Sequence, residues 1–138
     1  MRILVLDDDK NRHRTFKSNL IGYIVHHVYT VDDARAALNE HVFDVLYLDH
    51  DLNDHESRSV DYSGGYGGPR EMTGLDVARY VSLQCERDPK KTPQLVVVHS
   101  FNFAGAKAIA DELRGTVPQV VIQKFHEKIG LDLAWMVD

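Results

Sequence analysis

The sequence predicts an α/β domain with a doubly wound, five-stranded parallel sheet, and three observations carry that expectation. Its 138 residues suit one domain on the usual scale of roughly 100–200 residues. Short continuous apolar runs, typical of strands buried on both faces, recur along the chain. Stretches of helical period separate them. Strands alternating with helices imply right-handed βαβ crossovers and a mostly parallel sheet.

Each element follows from local pattern. Residues 3–6, ILVL, form the first apolar run. Residues 10–21 are helical in period, with Asp9 as N-cap and Phe16, Leu20 and Ile21 as the apolar stripe. Residues 23–29 are β-branched and aromatic and predict a second strand. Thr30 takes an N-cap position, Asp32 and Asp33 are helix-start acids favoured by the dipole, and the helix runs through Ala37 and Leu38. Residues 42–48 predict the third strand. Thr73 caps a third helix with Leu75, Ala78 and Leu83 as inward candidates. Residues 95–98 are the fourth strand, and 104–114 a helix closed by Gly115 as a left-handed residue. Residues 120–122 are the fifth strand, and the tail to Val137 a fifth helix. One segment breaks the rhythm. Residues 53–72 are polar and aperiodic and predict a long insertion loop, either a lid over a site or a plain surface insertion.

Composition narrows the function classes. Sixteen basic against 21 acidic residues give a net charge of -5, so no extended nucleic-acid surface is expected and any such contact must be local. The single cysteine, Cys85, excludes an intramolecular disulfide and a cysteine-based zinc site, and predicts a reduced thiol packed on a helix. The N-terminal apolar run meets acid after six residues, too short for a signal-peptide core and far below the ~18 residues that span a bilayer. A soluble, cytoplasmic protein is expected, with no membrane partner.

In such sheets ligands bind beyond the carboxyl ends of the strands. After the first strand come Asp7, Asp8 and Asp9; after the third, Asp49, His50 and Asp51. After the fourth come His99, Ser100 and Asn102, and after the fifth Gln123, Lys124 and Phe125. Carboxylates gathered at one edge repel one another, and a hard divalent cation neutralises them. Oxygen donors without cysteine favour Mg2+, with Mn2+ or Ca2+ as alternatives. Asp7, Asp8, Asp49 and Asp51 are therefore the candidate metal residues. His99 alone would be a structural histidine; beside Ser100 and facing the acids it becomes a candidate for chemistry. The expectation is that the strand ends at Val98, so that His99 and Ser100 both reach the site. His26 and His27 lie inside the second strand and receive no role, while His13, His41, His55 and His126 look like surface or loop residues.

With these residues in place, the chain resembles a receiver domain, the flavodoxin-like CheY fold of two-component signalling, over nearly its whole length. MRILVLDDD matches the first strand and acidic pair, which places Asp7 and Asp8 at metal-binding positions. FDVLYLD places Asp49 at the phospho-accepting aspartate, and Asp51 where a backbone carbonyl completes the metal shell. VVVHS places Ser100 at the hydroxyl that contacts the phosphoryl group. The lysine of that family stands after the fifth strand; here Lys124 is displaced by one position, and one position changes the face of a strand.

A narrower set of motifs is more telling. LDD, LDHDL at 48–52, G-x-D from Gly74 to Asp76, and HSFNFAG at 99–105 are similar to the divergent receivers described as cyclic-phosphate processing, frequent in phage and bacterial genomes. That resemblance implies metal-dependent hydrolysis or binding of a cyclic phosphate, either a cyclic nucleotide or a 2′,3′-cyclic RNA end. Asp7, Asp8, Asp49 and Asp51 would supply the metal shell. His50 and His99 would supply base and acid, since histidine titrates near neutral pH. Ser100, Asn102 and Lys124 would contact the phosphate. Two other readings stay open: a stand-alone receiver phosphorylated on Asp49, and a noncatalytic pseudo-receiver that binds a ligand or partner protein.

Overall fold

A computed structural model describes residues 1–52 and 72–137. The elements run β1 (Arg2–Leu6), α1 (Lys10–Asn19), β2 (Ile24–Val28), α2 (Val31–Glu40), β3 (Val45–Leu48), α3 (Gly74–Arg87), a 3-10 turn (Pro89–Lys91), β4 (Leu95–Val98), α4 (Phe103–Leu113), β5 (Gln119–Ile122) and α5 (Leu133–Met136). The five strands form one sheet in the order β2-β1-β3-β4-β5, and every pair is parallel. That is the expected doubly wound architecture. The expected insertion at 53–72 lies, apart from Met72, outside the described residues.

Alternation along the central strands divides the core in two. Ile3, Val5, Val45, Tyr47, Leu95 and Val97 face one side, where Phe16 and Leu20 of the α1 segment and Leu133 of α5 cover them. Leu4, Leu6, Leu46, Leu48, Val96 and Val98 face the other, against Ala34, Val77, Val81, Ile109 and Leu113 of α2, α3 and α4. β1, β3 and β4 are thus apolar on both faces, which is why they read as unbroken hydrophobic runs.

Several local expectations are corrected. α1 stops at Asn19, so Ile21 falls beyond it and is 79% exposed. α3 buries Val77, Ala78, Val81 and Cys85, which leaves Leu83 turned to solvent at 54%. β3 begins at Val45 because Asp44 is held beside the sheet, its carboxylate accepting from the Arg2 backbone N–H at 2.8 Å. Gly115 is not left-handed; among the described residues the positive-φ glycines are Gly22 and Gly130. α4 instead closes on two bonds, the Thr116 and Val117 N–H groups both donating to the Leu113 carbonyl. The tail forms turns around Gly130 and a single helical turn at α5, not a full fifth helix.

Candidate functional site

Strand register assembles the site. Leu6 pairs with Leu48, and Leu48 with Val98, so one residue further on Asp7, Asp49 and His99 stand in line. The ladder persists there, with the Asp49 N–H donating to Leu6 O (3.1 Å) and the His99 N–H to Leu48 O (3.0 Å). Alternation therefore carries all three side chains to the α1 face of the sheet. All three are buried, and their ligand atoms lie within 4.8 Å of one another. Here the structure corrects one part of the sequence reading. β4 itself ends at Val98 as expected and His99 reaches the site beside Asp49. The phosphoryl-contacting position given to Ser100, however, falls by register to His99. Ser100 is buried one step on, its Oγ accepting from the Asn102 N–H at 3.0 Å.

Asp7 is the hub. Its Oδ2 accepts from Arg12 Nε (2.7 Å) and His99 Nε2 (2.9 Å). Its Oδ1 accepts from Arg12 Nη2 (2.8 Å) and the Asp9 N–H (2.9 Å). Burial pushes the Asp7 carboxyl up, but the His99 and Arg12 hydrogen bonds outweigh it and hold the group far below the usual carboxylate range. Asp49 contrasts with it. Among the described residues its carboxylate makes one contact, 3.5 Å from Arg12 Nη2. Burial, offset by His99 and reinforced by the Asp7 charge, lifts its pKa to about 6. Asp8 sits at the rim, 3.5 Å from Arg12 Nη2.

Arg12 was not singled out in the sequence, yet its guanidinium lies within 3.5 Å of carboxylate oxygens of Asp7, Asp8, Asp9 and Asp49. Asp9 explains its placement. The Asp9 side chain caps α1 by accepting from the Asn11 and Arg12 N–H groups, and the first turn then swings Arg12 back over the strand end. His13, expected at the surface, is buried behind the same helix. Its Nε2 donates to the Asp7 carbonyl (2.7 Å), so in the neutral ring Nδ1 must accept from His27 Nδ1 (2.7 Å). Burial lowers the pKa of both, that of His27 to about 4. His27, given no role in the sequence, thus buttresses the residue that fixes the Asp7 backbone.

A second group forms above β3. His50 Nδ1 donates to Asp51 Oδ1 at 2.6 Å, and Asn102 Nδ2 donates to the same oxygen at 3.0 Å. The two bonds, His50 first, hold the Asp51 carboxyl below its ordinary range. Asn102 Oδ1 meanwhile accepts from the Gly105 N–H and caps α4. The glycines of the motifs now have reasons. A Cβ on Gly105 would collide with the His50 ring, and one on Gly74 would overlap the Asp49 carbonyl. Asp76 completes a capping box with Thr73, and the Gly74 N–H donates to His50 O. LDHDL, G-x-D and HSFNFAG are therefore one packed unit.

The expected site residues separate accordingly. Asp7, Asp49 and His99 converge, with Asp8 at the rim. The Asp51 carboxylate belongs to the His50–Asn102 group and not to that cluster, and Asn102 has both ends of its amide engaged. Lys124 is exposed and makes no hydrogen bond or ion pair to a described residue. Register sets Gln123, not Lys124, next in line after His99, through its N–H bond to Val98 O.

Two carboxylates and an imidazole so close together could hold a metal ion. Asp49 is the open ligand of the set. Both oxygens of Asp7 already accept two hydrogen bonds each, so a cation reaches that carboxylate only where Arg12 lets go. No helix among the described residues is long and apolar enough to cross a membrane.

A family model described as the cyclic-phosphate processing receiver domain matches residues 2–115. No curated protein matches the chain. Among solved structures, the fold is similar to a CheY-like receiver domain protein from Methylobacillus flagellatus, with 17% identity, TM-score 0.63, and coverage of 99% of this chain and 96% of that one. A CheY-like receiver domain protein from Methanospirillum hungatei gives 17% identity, TM-score 0.62 and coverage of 98% and 90%. A response regulator protein from Thermotoga maritima, solved in complex with Mg(2+)-BeF, gives 19% identity, TM-score 0.58 and coverage of 91% and 88%.

Proposed function

We propose that this chain, which belongs to the cyclic-phosphate processing receiver domain family, hydrolyses a cyclic phosphodiester with the help of a divalent cation. The carrying observation is the convergence of Asp7, Asp49 and His99 within 4.8 Å; the residue that follows Asp49, His50, carries an imidazole oriented by a carboxylate, that of Asp51. Asp49 and Asp7, with Asp8 at the rim, would hold the cation. When bound, such an ion neutralises phosphoryl oxygens and lowers the pKa of water. The similarity to a receiver solved with Mg(2+)-BeF supports a magnesium-type ion on this scaffold.

The protein groups divide the remaining work. His50 donates a hydrogen bond from Nδ1–H to Asp51 Oδ1, which leaves Nε2 as a basic lone pair able to take a proton from water. Water oxygen bonds to phosphorus, one ring P–O bond breaks, and the departing oxygen takes a proton to become a hydroxyl. His99 holds a proton at Nε2 against Asp7 and is the acid of this reading. Ser100 is a hydroxyl donor for phosphate, once free of its turn.

The test is turnover of a panel of cyclic phosphates (cyclic mononucleotides and oligonucleotides with 2′,3′-cyclic ends) with Mg2+, Mn2+ or EDTA. Cation-dependent opening of a ring, lost in Asp49→Asn, is expected. Binding without turnover across the panel would refute hydrolysis and favour a ligand-binding receiver.

A further inference from the structure

We propose that Arg12 is the resident counter-cation of this site: a divalent ion and the Arg12 guanidinium occupy Asp7 alternately, so cation entry releases the arginine towards the phosphate of the substrate. The inference rests on the cation site argued above but concerns a residue that no motif singles out. Arg12 makes a two-pronged contact with Asp7, Nε to Oδ2 at 2.7 Å and Nη2 to Oδ1 at 2.8 Å. With His99 and the Asp9 N–H, that fills all four acceptor positions of the Asp7 carboxylate. A metal ion needs one of those lone pairs. His99 is buried on Phe16 and the Asp9 N–H is fixed backbone, so Arg12 is the group that can yield. Its side chain is 25% exposed and begins on the first turn of α1, at the mouth of the site.

Charge makes the exchange reciprocal. Without a cation, Asp7, Asp8, Asp9 and Asp49 surround one guanidinium, which offsets their repulsion. A divalent ion takes over the neutralisation of these carboxylates, so the fork is no longer needed on Asp7 and a phosphate becomes its natural partner. Lys124, turned to solvent, leaves that place open. Cation and phosphate binding are thereby coupled through one side chain.

The experiment follows the Arg12 Nε–H resonance of the ¹⁵N-labelled full chain, assigned by its loss in Arg12→Lys, during Mg2+ titration. Held on Asp7, this proton exchanges slowly with water; at saturating Mg2+ the signal should shift and lose protection, and EDTA should restore it. In parallel, Mn2+ binding by electron paramagnetic resonance should tighten at least tenfold in Arg12→Ala. Inorganic phosphate binding to the Mg2+-loaded protein should weaken about tenfold in the same variant. An unchanged Nε–H signal in Mg2+-saturated protein overturns the exchange, as does Mn2+ affinity that is equal or weaker in Arg12→Ala. Equal phosphate affinity overturns the second role. Absence of Mn2+ binding by both proteins overturns the cation site itself along with this inference. Should Arg12→Ala fail to fold, the wild-type titration alone decides.

Discussion

Replacing Asp49 by asparagine should stabilise the metal-free protein, and the gain should vanish in acid. The native carboxyl is lifted from 3.8 to about 6 by burial and by Asp7, net of the attraction from His99 and Arg12. The folded state therefore binds this proton more tightly than the unfolded chain. Below about pH 4 both states hold it and no penalty exists. As pH rises towards 6 the unfolded chain ionises freely while the fold resists, so the Asp49 contribution to stability falls across that window and is lost in full above about pH 7. At 1.36 kcal/mol per tenfold, the cost is roughly 3 kcal/mol. Only 7% of the side chain is exposed, so water screens little of it. Asparagine keeps the volume and sheds the charge. Its gain at pH 7.5 should approach 3 kcal/mol, a Tm rise on the order of 6–10 °C for a chain of this size. Urea or thermal unfolding in EDTA at pH 7.5 and 4.0 measures it. A variant less stable than wild type at pH 7.5, or a gain equal at both pH values, would refute the reasoning.

Other consequences are sharp enough to measure. Millimolar Mg2+ or Mn2+ should raise the Tm of wild type, by about 2.7 kcal/mol in free energy at a hundred times Kd, and leave Asp49→Asn unmoved; equal shifts in both proteins would count against the cluster as the cation site. Gly105→Ala should cost about 1–3 kcal/mol, because its Cβ enters the His50 ring. Adding His50→Ala should recover part of that loss, and a double-mutant cycle with no coupling would show that the two residues do not share the space. His99→Ala should lower turnover about 10²–10⁴-fold, while unchanged turnover would leave His99 with a structural role on Asp7 and move the acid elsewhere.

Much of this site was legible because strands translate spacing into direction. Asp7, Asp49 and His99 each follow a run of buried strand residues, and parallel register needs nothing more to set them side by side. Where the reading slipped, the cause was a single step of that same period. The motif match set Ser100 at the phosphoryl-contacting position, although alternation counted from Leu95 and Val97 gives the α1 face to His99. Arg12 was invisible for a different reason. Its position depends on a helix N-terminus, where Asp9 fixes the first turn, and a cation in DDDKNRHR resembles any solvated arginine until the cap is in place. His13 and His27 hide similarly, since only the packing of α1 against β2 brings their rings within 2.7 Å. The glycines show the converse. Gly74 and Gly105 could be quoted as motif letters, but their reasons lie in the Asp49 carbonyl and the His50 ring, contacts between segments 25 and 55 residues apart. A motif in this fold therefore records which residues were allowed to approach one another. The side chain it omits, Arg12, is held by its two bonds to Asp7 and not by a fitted cavity of that unit, and is the one proposed to exchange between two partners.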